Sequence, residues 1–300
     1  MTYSIVARDP ESGRFGVAIQ TCWPFVGGSC PWVESGVGAV VTQSFTEIAH
    51  GPNGLGLLRA GTSSAEALAA LLADDEGRDV RQVGIVDAAG RSAAHTGGRC
   101  VEAAGHLTAE GVSVQANMME RPSVWPAMLE AWTSGATTNG DDVAARLLAV
   151  LRAAEAEGGD IRGRQSAAIV ISGPPDAPGW RRDVDLRVEE HGAPLDELAR
   201  LLDVHRGYEA LDRAEHLGAA GDGAGAASES AEALRLAPGD GQVFVWTALG
   251  MAAMGRLDDA RRMLAEASAA NPRWRVFLER FAASGAQPEL VEPARRLLGS

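Results

Sequence analysis

The sequence contains no lysine, so all 27 of its basic residues are arginine. An arginine-only set of cations points to biased, bacterial-type codon usage, and it excludes lysine as a catalytic base, Schiff-base former or charge stabiliser. Aspartate and glutamate together number 40, which leaves a net charge of −13 and a pI of about 4.9. Because nucleic acids and anionic membrane surfaces bind basic faces, neither is expected as a partner.

Cysteine and long apolar runs are scarce as well. The three cysteines, Cys22, Cys30 and Cys100, have a spacing that fits neither a zinc site nor a CxxC redox motif. There is no run of 18 apolar residues and no secretion signal at the start of the sequence, so we expect a cytoplasmic protein with free thiols. The signatures GxGxxG, GxxxxGK[ST], HExxH and GxSxG are also missing, and no metal or cofactor is predicted.

What is present describes a globular protein of one large or two medium domains, with 46% hydrophobic and 22% charged residues in 300. Residues 2–20 alternate apolar and polar side chains around a turn at residues 10–13, which predicts a β-hairpin. Thr2 begins this hairpin. Removal of Met1, which a small second residue favours, would give Thr2 a free amine beside its hydroxyl, a nucleophile with its own base. The alternative is an ordinary hairpin in which Thr2 has no chemical role.

The chain up to about residue 204 predicts both strands and helices. Strands are predicted at 38–45, 80–86, 91–95, 112–117, 165–172 and 183–190, and helices at 55–58, 65–72, 123–133, 141–156 and 195–202. Strands in antiparallel pairs, followed by a helix pair and another strand, favour an α+β sandwich with helices covering both sheets.

From about His205 the pattern becomes helical only, so we expect domains at 1–204 and 205–300. A shift of 34 residues aligns Gly221 with Gly255 and Pro238 with Pro272, as well as three alanine pairs. This period resembles the tetratricopeptide repeat, with residues 287–298 as a capping helix, and such a module would recruit a protein partner. Helical hairpins with chance alanine matches are the alternative.

Several polar residues stand where predicted strands end or loops begin, a position from which side chains can form a site. They are Gln43, His95, Thr96, Asn117, Arg164 and Gln165. Each also has a structural interpretation: Gln43 would tie a loop backbone, His95 would be a core histidine, Asn117 would hold a left-handed turn, and Arg164 would pair with Asp160.

A family resemblance rests on motifs that follow one another in order over roughly residues 1–203. They are TYSIVARDPESGRFGVA, GVGAVVTQ, RQVGIVDAAGR, AAHTG, VQANM, GGDIRGRQSAA and VDLRVEEH. Together they resemble the domain-of-unknown-function family 1028, which is similar in fold to the N-terminal-nucleophile (Ntn) hydrolases. The resemblance implies a four-layer αββα sandwich with its active site where the first strand begins, and some members of the family carry extra C-terminal modules.

Carried over to this sequence, the resemblance implies an amidohydrolase acting on a small amide or peptide-like substrate. Thr2 would be the nucleophile, Asn117 an oxyanion donor, and Arg164 the partner of a substrate carboxylate, while Gln43, His95, Thr96 and Gln165 would line the pocket. The lysine that proteasome-like relatives use is absent. The alternative is therefore a non-catalytic protein of the same fold that binds a ligand or assembles, and a homo-oligomer is expected in either case.

Overall fold

A computed structural model describes residues 2–135 and 142–299 of the protein. The chain divides into two compact units, residues 1–199 and 200–300. Met1, whose removal the sequence predicts, lies outside the described residues, and so does the predicted break between two helices from residue 136 onward.

The first unit contains both strands and helices. Its strands are β1 (Thr2–Arg8), β2 (Phe15–Thr21), β3 (Pro31–Glu34), β4 (Gly38–Ser44), β5 (Arg81–Asp87), β6 (Ser92–Thr96), β7 (Gly105–Ala109), β8 (Val112–Asn117), β9 (Ser166–Ser172) and β10 (Arg182–Val188). Its helices are α1 (His50–Arg59), α2 (Ser64–Ala73), α3 (Val124–Thr133), α4 (Val143–Ala156) and the start of α5 (Pro194–Ala219).

The strands form two antiparallel sheets. The six-stranded sheet has the order β10-β9-β2-β1-β8-β7, and the four-stranded sheet has the order β3-β4-β5-β6. The sheets pack face to face through buried side chains of β1, β2, β4 and β5, which include Val6, Val17, Val41 and Val86. Helices α3 and α4 cover the outer face of the larger sheet, and α1 and α2 cover that of the smaller one. The layers therefore run helix, sheet, sheet, helix, and the predicted α+β class with two antiparallel sheets is confirmed.

Side-chain periodicity explains why these segments take these positions. On β4, Ala39 and Val41 face the other sheet, whereas Val40 between them packs against Leu55 and Leu58 of α1. A strand buried on both faces needs mostly apolar residues, which the first half of β4 supplies, whereas Thr42, Gln43 and Ser44 at its end are polar. Helix α2 begins after Ser63, whose side chain and that of Glu66 bond each other's backbone in a capping box.

Two strands were not predicted from the sequence. No strand is predicted between residues 22 and 37, which contain β3, or at residues 105–109, which form β7. Both are short edge strands, and β7 exposes Leu107, Thr108 and Ala109. With only four and five residues, these two strands give little room for the alternation that identifies a strand in a sequence.

The second unit is helical in the residues described. After α5 come α6 (Gly223–Leu236), α7 (Gly241–Ala253), α8 (Leu257–Ala270), α9 (Arg273–Ser284) and α10 (Pro288–Leu298). Helices α6 and α8 begin at Gly223 and Leu257 and end at Leu236 and Ala270, so both ends are offset by the predicted 34 residues. The C-terminal run of helices is confirmed, while its assignment to the tetratricopeptide class stays a prediction.

None of the helices in the described part of the chain combines the length and apolar character needed to cross a lipid bilayer.

Candidate active site

Thr2 is the first residue of β1, which lies in the middle of the six-stranded sheet. Its neighbours across the sheet are Thr21 at the end of β2 and Asn117 at the end of β8. The Thr2 side chain is buried, and its Oγ1 lies 3.2 Å from Thr21 Oγ1, to which it donates a hydrogen bond. Three polar residues therefore lie side by side at one end of the six-stranded sheet.

The carbonyl oxygen of Thr2 accepts hydrogen bonds from two side-chain amides. Gln43 Nε2 reaches it from the four-stranded sheet at 3.2 Å, and Asn117 Nδ2 reaches it from the neighbouring strand at 3.3 Å. Gln43 and Asn117 are both fully buried. Because the two donors come from opposite sheets, they fix the position of Thr2 relative to both.

A line of hydrogen bonds continues from Gln43 through the four-stranded sheet and into β7. Gln43 Nε2 donates to Gln82 Oε1 at 2.7 Å, and Gln82 Nε2 donates to Thr96 Oγ1 at 2.9 Å. Thr96 Oγ1 also lies 2.8 Å from His106 Nδ1. Since Thr96 already accepts from Gln82, its own proton is available to His106. Burial lowers the pKa of His106, with a further contribution from His95, which favours the neutral ring that this hydrogen bond requires.

In the other direction, the line runs back into the six-stranded sheet. Ser4 Oγ donates to Gln43 Oε1 at 2.6 Å, and Gln115 Nε2 donates to Ser4 Oγ at 2.6 Å. Ser113 Oγ in turn donates to Gln115 Oε1 at 2.7 Å. We call the whole line the carboxamide chain, which comprises Ser113, Gln115, Ser4, Gln43, Gln82, Thr96 and His106. Each internal member both donates and accepts, so burial leaves the chain satisfied.

Backbone carbonyls fix the direction of the carboxamide chain. Gln115 Nε2 also donates to the carbonyl of Ser4 at 3.0 Å, and Gln82 Nε2 donates to those of Gly105 and Ala116 at 3.1 and 2.9 Å. A carbonyl oxygen accepts only, so the NH₂ end of each carboxamide is the end that faces it.

Gly84 makes room for this chain. A Cβ atom at this position of β5 would collide with Oε1 of Gln115 on the facing strand and would lie 3.1 Å from Ser113 Oγ. The close approach of backbone to carboxamide therefore requires glycine here.

The two strands that supply Gln43 and Asn117 end in an unusual backbone conformation. Ser44 and Met118, the residues that directly follow them, have φ values of 71° and 56°. Residues other than glycine adopt this left-handed region at a cost of about 1 kcal/mol or more, and such residues cluster at functional sites. The strain accompanies the abrupt end of both strands at the position where the carboxamides reach Thr2.

The predicted site residues fall into two groups. Thr2, Gln43, Thr96 and Asn117 belong to one buried hydrogen-bonded network. The others lie apart from it: His95 Nε2 bonds the backbone carbonyl of Arg78 at 2.8 Å, and Arg164 pairs with Glu155 at 2.7 Å. Gln165 joins the end of β2 through its backbone, which donates to the Thr21 carbonyl at 2.9 Å.

Arg164 belongs to a separate cluster on the outer, helix-covered face of the six-stranded sheet. Glu155 of α4 accepts hydrogen bonds from Tyr3 Oη at 2.6 Å, Gln20 Nε2 at 2.8 Å and Arg164 Nη1. Burial raises the pKa of Tyr3, and the charge of Glu155 raises it further. The expected pairing of Arg164 with Asp160 is not formed, and Arg162 takes that place at 3.4 Å.

The geometry also revises the role expected for Asn117. One hydrogen of its Nδ2 points to the Thr2 carbonyl, and the other goes to Gln82 Oε1 at 2.8 Å. With both hydrogens engaged, the amide has none to offer an oxyanion. Its Oδ1 is buried and has no hydrogen-bond partner among the described residues. Asn117 is therefore placed to position Thr2.

Sequence reasoning missed Ser4, Gln82, Gln115 and His106. A signal for three of them was present, since Gln82, Ser4 and Gln115 are polar residues within otherwise apolar strands and in phase with side chains that face the other sheet. His106 carried no such signal, because its strand was itself not predicted. Within residues 2–135 and 142–299, no group of three or more His, Cys, Asp or Glu residues is arranged to hold a metal ion.

Exposed apolar side chains surround this end of the sheets. The loops that follow β2, β4 and β6 and that precede β9 carry large hydrophobic side chains that are about half exposed or more. They are Trp23, Phe25, Phe45, Ile48, Val101 and Ile161, and we call them the apolar rim. An accumulation of this kind on one end of a domain is typical of a binding or assembly surface.

Two comparisons with known proteins point to the same family. The model of a family of unknown function, DUF1028, matches residues 2–198. The crystal structure of protein SPO2555 from Silicibacter pomeroyi, which carries the same family assignment, is similar with a TM-score of 0.59 and 32% sequence identity. That similarity covers 67% of this chain and 87% of the other. No curated protein matches the chain.

The resemblance expected from the ordered motifs is thereby confirmed at the level of the family. The matched residues contain both sheets, the carboxamide chain and Thr2. The chain belongs to the DUF1028 family.

Proposed function

We propose that the protein is an N-terminal-nucleophile amidohydrolase in which Thr2, freed by removal of Met1, attacks a small amide or peptide-like substrate. The observation that carries the proposal is the position of Thr2. It begins the central strand between two helix-covered sheets, with its carbonyl oxygen held by amides from both sheets and its hydroxyl beside Thr21. The layer order of helix, sheet, sheet and helix is also the one that the resemblance to the Ntn hydrolases implies.

The proposed reaction proceeds in two stages. Thr2 Oγ1 attacks the substrate carbonyl carbon while the free α-amine of Thr2 takes the hydroxyl proton. That proton then passes to the departing amine as the C–N bond breaks, which leaves an ester on Thr2. Water attacks the ester with the amine again as base, so a carboxylic acid leaves and Thr2 is restored. The ordinary pKa of an α-amine, about 7.7–8.0, suits this general base at neutral pH.

In this proposal the carboxamides position the nucleophile. Gln43 and Asn117 hold the peptide group of Thr2, which limits the rotation of its amine and hydroxyl, and such pre-organisation lowers the barrier to attack. Thr96 accepts a hydrogen bond from Gln82, so it lies one hydrogen bond further from Thr2 than Gln82 does. A substrate contact is assigned to Gln165, whose backbone N–H bonds the carbonyl of Thr21 beside Thr2, whereas Arg164 pairs with Glu155 on the outer face of the sheet and lies outside the proposed site.

The first test is the intact mass of the purified protein, which we expect to lack Met1. A β-lactone probe should then add one acyl group to the peptide that begins with Thr2. Against a panel of N-acyl amino acids and small amides, Thr2→Ser should retain part of the turnover and Thr2→Ala should lose it.

Thr42→Ala is the matched control, because Thr42 Oγ1 only donates to the backbone carbonyl of Glu47 at 3.0 Å. Its turnover should equal that of the unchanged protein. Retention of Met1, or equal turnover by Thr2→Ala, contradicts the proposal.

The apolar rim favours a second candidate function, that of a non-catalytic protein that assembles or binds a partner. In this case Met1 is retained and the rim joins two copies of the chain. Replacing Phe45 and Ile161 with serine should then shift the sedimentation coefficient from that of a homo-oligomer to that of a monomer. An unchanged sedimentation coefficient contradicts this candidate. A cytoplasmic location stays part of the proposal for both candidates.

A further inference from the structure

The hydroxyl of Thr21 lies next to the proposed nucleophile and outside the carboxamide chain. Thr21 is the last residue of β2 and pairs with Thr2 across the sheet. Both residues are buried, with Thr21 1% and Thr2 6% exposed. Thr2 Oγ1 donates a hydrogen bond to Thr21 Oγ1 at 3.2 Å. Thr21 is therefore in direct contact with the oxygen that would attack the substrate.

A second hydrogen bond fixes how the Thr21 hydroxyl faces Thr2. The backbone N–H of Trp23 donates to Thr21 Oγ1 at 3.3 Å. A hydroxyl oxygen has two acceptor lone pairs and one hydrogen, and the donors from Thr2 and Trp23 occupy both pairs. The hydrogen of Thr21 therefore points away from Thr2 Oγ1, and Thr21 acts toward Thr2 as an acceptor.

This contact holds the nucleophile in one orientation. The threonine side chain turns about a single bond, χ1, so a hydrogen bond at Oγ1 selects one of its staggered positions. The same torsion sets where Oγ1 lies relative to the α-nitrogen of Thr2, which is the proposed base. Gln43 and Asn117 thus hold the carbonyl of Thr2, while Thr21 holds its hydroxyl.

The needs of Thr2 Oγ1 change during the proposed reaction. When its proton passes to the α-amine, the oxygen loses the hydrogen that Thr21 accepts, and negative charge develops on it until the bond to the substrate is complete. Charge that develops at a buried oxygen is stabilised by a donor aimed at it. A hydroxyl can serve the oxygen in both states, because it rotates about its C–O bond and either accepts or donates.

We propose that Thr21 is a second catalytic residue, whose hydroxyl first accepts the hydrogen bond from Thr2 and then reverses it. As Thr2 Oγ1 bonds to the substrate carbonyl carbon, its proton passes to the Thr2 α-amine. The Thr21 hydroxyl then turns its own hydrogen toward Oγ1, and Thr21 neither gains nor loses a proton. This role rests on the proposed amidohydrolase activity of Thr2.

The test measures the rate at which the β-lactone probe acylates Thr2 of the full-length protein, over the pH range in which the α-amine titrates. Thr21→Val removes the hydroxyl and should lower the plateau rate by about 10–100-fold, the value of a hydrogen bond to a charged group. The midpoint of the pH profile should stay unchanged, because the amine remains the base. Thr21→Ala should show the same loss, and Thr21→Ser, which keeps a hydroxyl, should retain most of the rate.

Ser166→Ala is the matched control, because Ser166 is also fully buried and pairs with Thr21 from the other side, on β9. It anchors the same loop as Thr21 does: its Oγ donates to the carbonyl of Trp23 and accepts from the N–H of Val26. Neither of these bonds involves Thr2. The Ser166→Ala variant should therefore loosen the loop and keep the acylation rate. Melting temperatures show that each variant is folded.

The possible failures are distinguishable. No label on Thr2 in the unchanged protein contradicts the amidohydrolase itself and, with it, the role of Thr21. If the unchanged protein is labelled and Thr21→Val reacts equally fast, only the role of Thr21 is overturned. The same holds if Thr21→Ser is as slow as Thr21→Val, or if Ser166→Ala shows an equal loss, since the loop would then cause the effect.

Discussion

At the scale of single residues, Asp75 is a carboxylate whose pKa is shifted strongly by its hydrogen bonds. It accepts hydrogen bonds from Arg81 Nε at 2.8 Å, His50 Nε2 at 3.0 Å and the backbone N–H of Gly77 at 2.7 Å. The hydrogen bond from Arg81 is the largest cause, and it holds the pKa of Asp75 at about 2, below the ordinary 3.8. Asp75 thus ties the start of α1 to the start of β5 in its ionised form.

This depressed pKa predicts an acid-sensitive contribution to stability. A carboxylate with a lower pKa in the folded than in the unfolded state stabilises above the unfolded pKa, by about 2 kcal/mol here, and loses that contribution as the pH falls from about 4 to 2. Urea unfolding at pH 7 and pH 3 should show about half of this contribution gone at the lower pH.

The variant Asp75→Asn checks the assignment. Its free energy of unfolding should be lower at pH 7 and should fall less between pH 7 and pH 3 than that of the unchanged protein. Asp74→Asn is the control, because Asp74 is exposed at the end of α2. If both variants follow the same pH dependence as the unchanged protein, Asp75 does not carry the effect.

At the scale of secondary-structure elements, the contact between the two sheets depends on Gly84. The substitution Gly84→Ala should destabilise the fold by about 1–3 kcal/mol, since the added methyl group collides with the Gln115 carboxamide in a tightly packed layer. Chemical denaturation measures this change.

Gly56→Ala is the comparison, because open space at a helical glycine should make it neutral or slightly stabilising. Full stability in Gly84→Ala would mean that the carboxamide can move aside. If the Gly84→Ala variant turns over an amide at a near-normal rate, an intact carboxamide chain is not needed to position Thr2.

Elements with a clear pattern were predictable from the sequence, and these include the edge strands β6 and β10, whereas the edge strands β3 and β7 were not predicted. The apolar runs in β4, β5 and β9 predicted both the type and the position of these strands, because a strand buried on two faces has a largely apolar sequence. The four and five residues of β3 and β7 are too few to show such a pattern.

The candidate site was predictable to a similar extent. Gln43, Thr96 and Asn117 stand out as polar residues at strand ends, and the structure joins them to Thr2. Arg164 looked equivalent in the sequence but lies with Glu155 on the other face of the sheet. A one-dimensional sequence gives the end of a strand, whereas the face toward which a loop residue turns depends on tertiary contacts.

At the scale of the whole molecule, each unit has its own apolar core. The first unit is held by the layers between and outside the two sheets, and the second by a cluster around Trp246, Leu249 and Phe281. Within that second cluster, the rings of Trp246 and Phe281 meet edge to face at 5.4 Å between centroids.

We therefore expect a fragment of residues 1–204 to fold without the helical unit. It should unfold cooperatively in urea and give a dispersed amide NMR spectrum. A fragment of residues 1–180 is the control, because it lacks β10 and exposes the edge of β9; this fragment should aggregate. A molten or aggregated 1–204 fragment would show that its core needs the residues beyond it.

The carboxamide chain has a consequence for how the protein folds. A strand that pairs one residue out of step turns its alternate side chains to the opposite face, so Gln43, Gln82 and Gln115 would each enter an apolar layer with no acceptor or donor. Misaligned sheets are thereby penalised far more than apolar packing alone would penalise them. The buried amides therefore favour the correct register of the strands. That register places Thr2, the first residue of β1, beside Thr21 and Asn117.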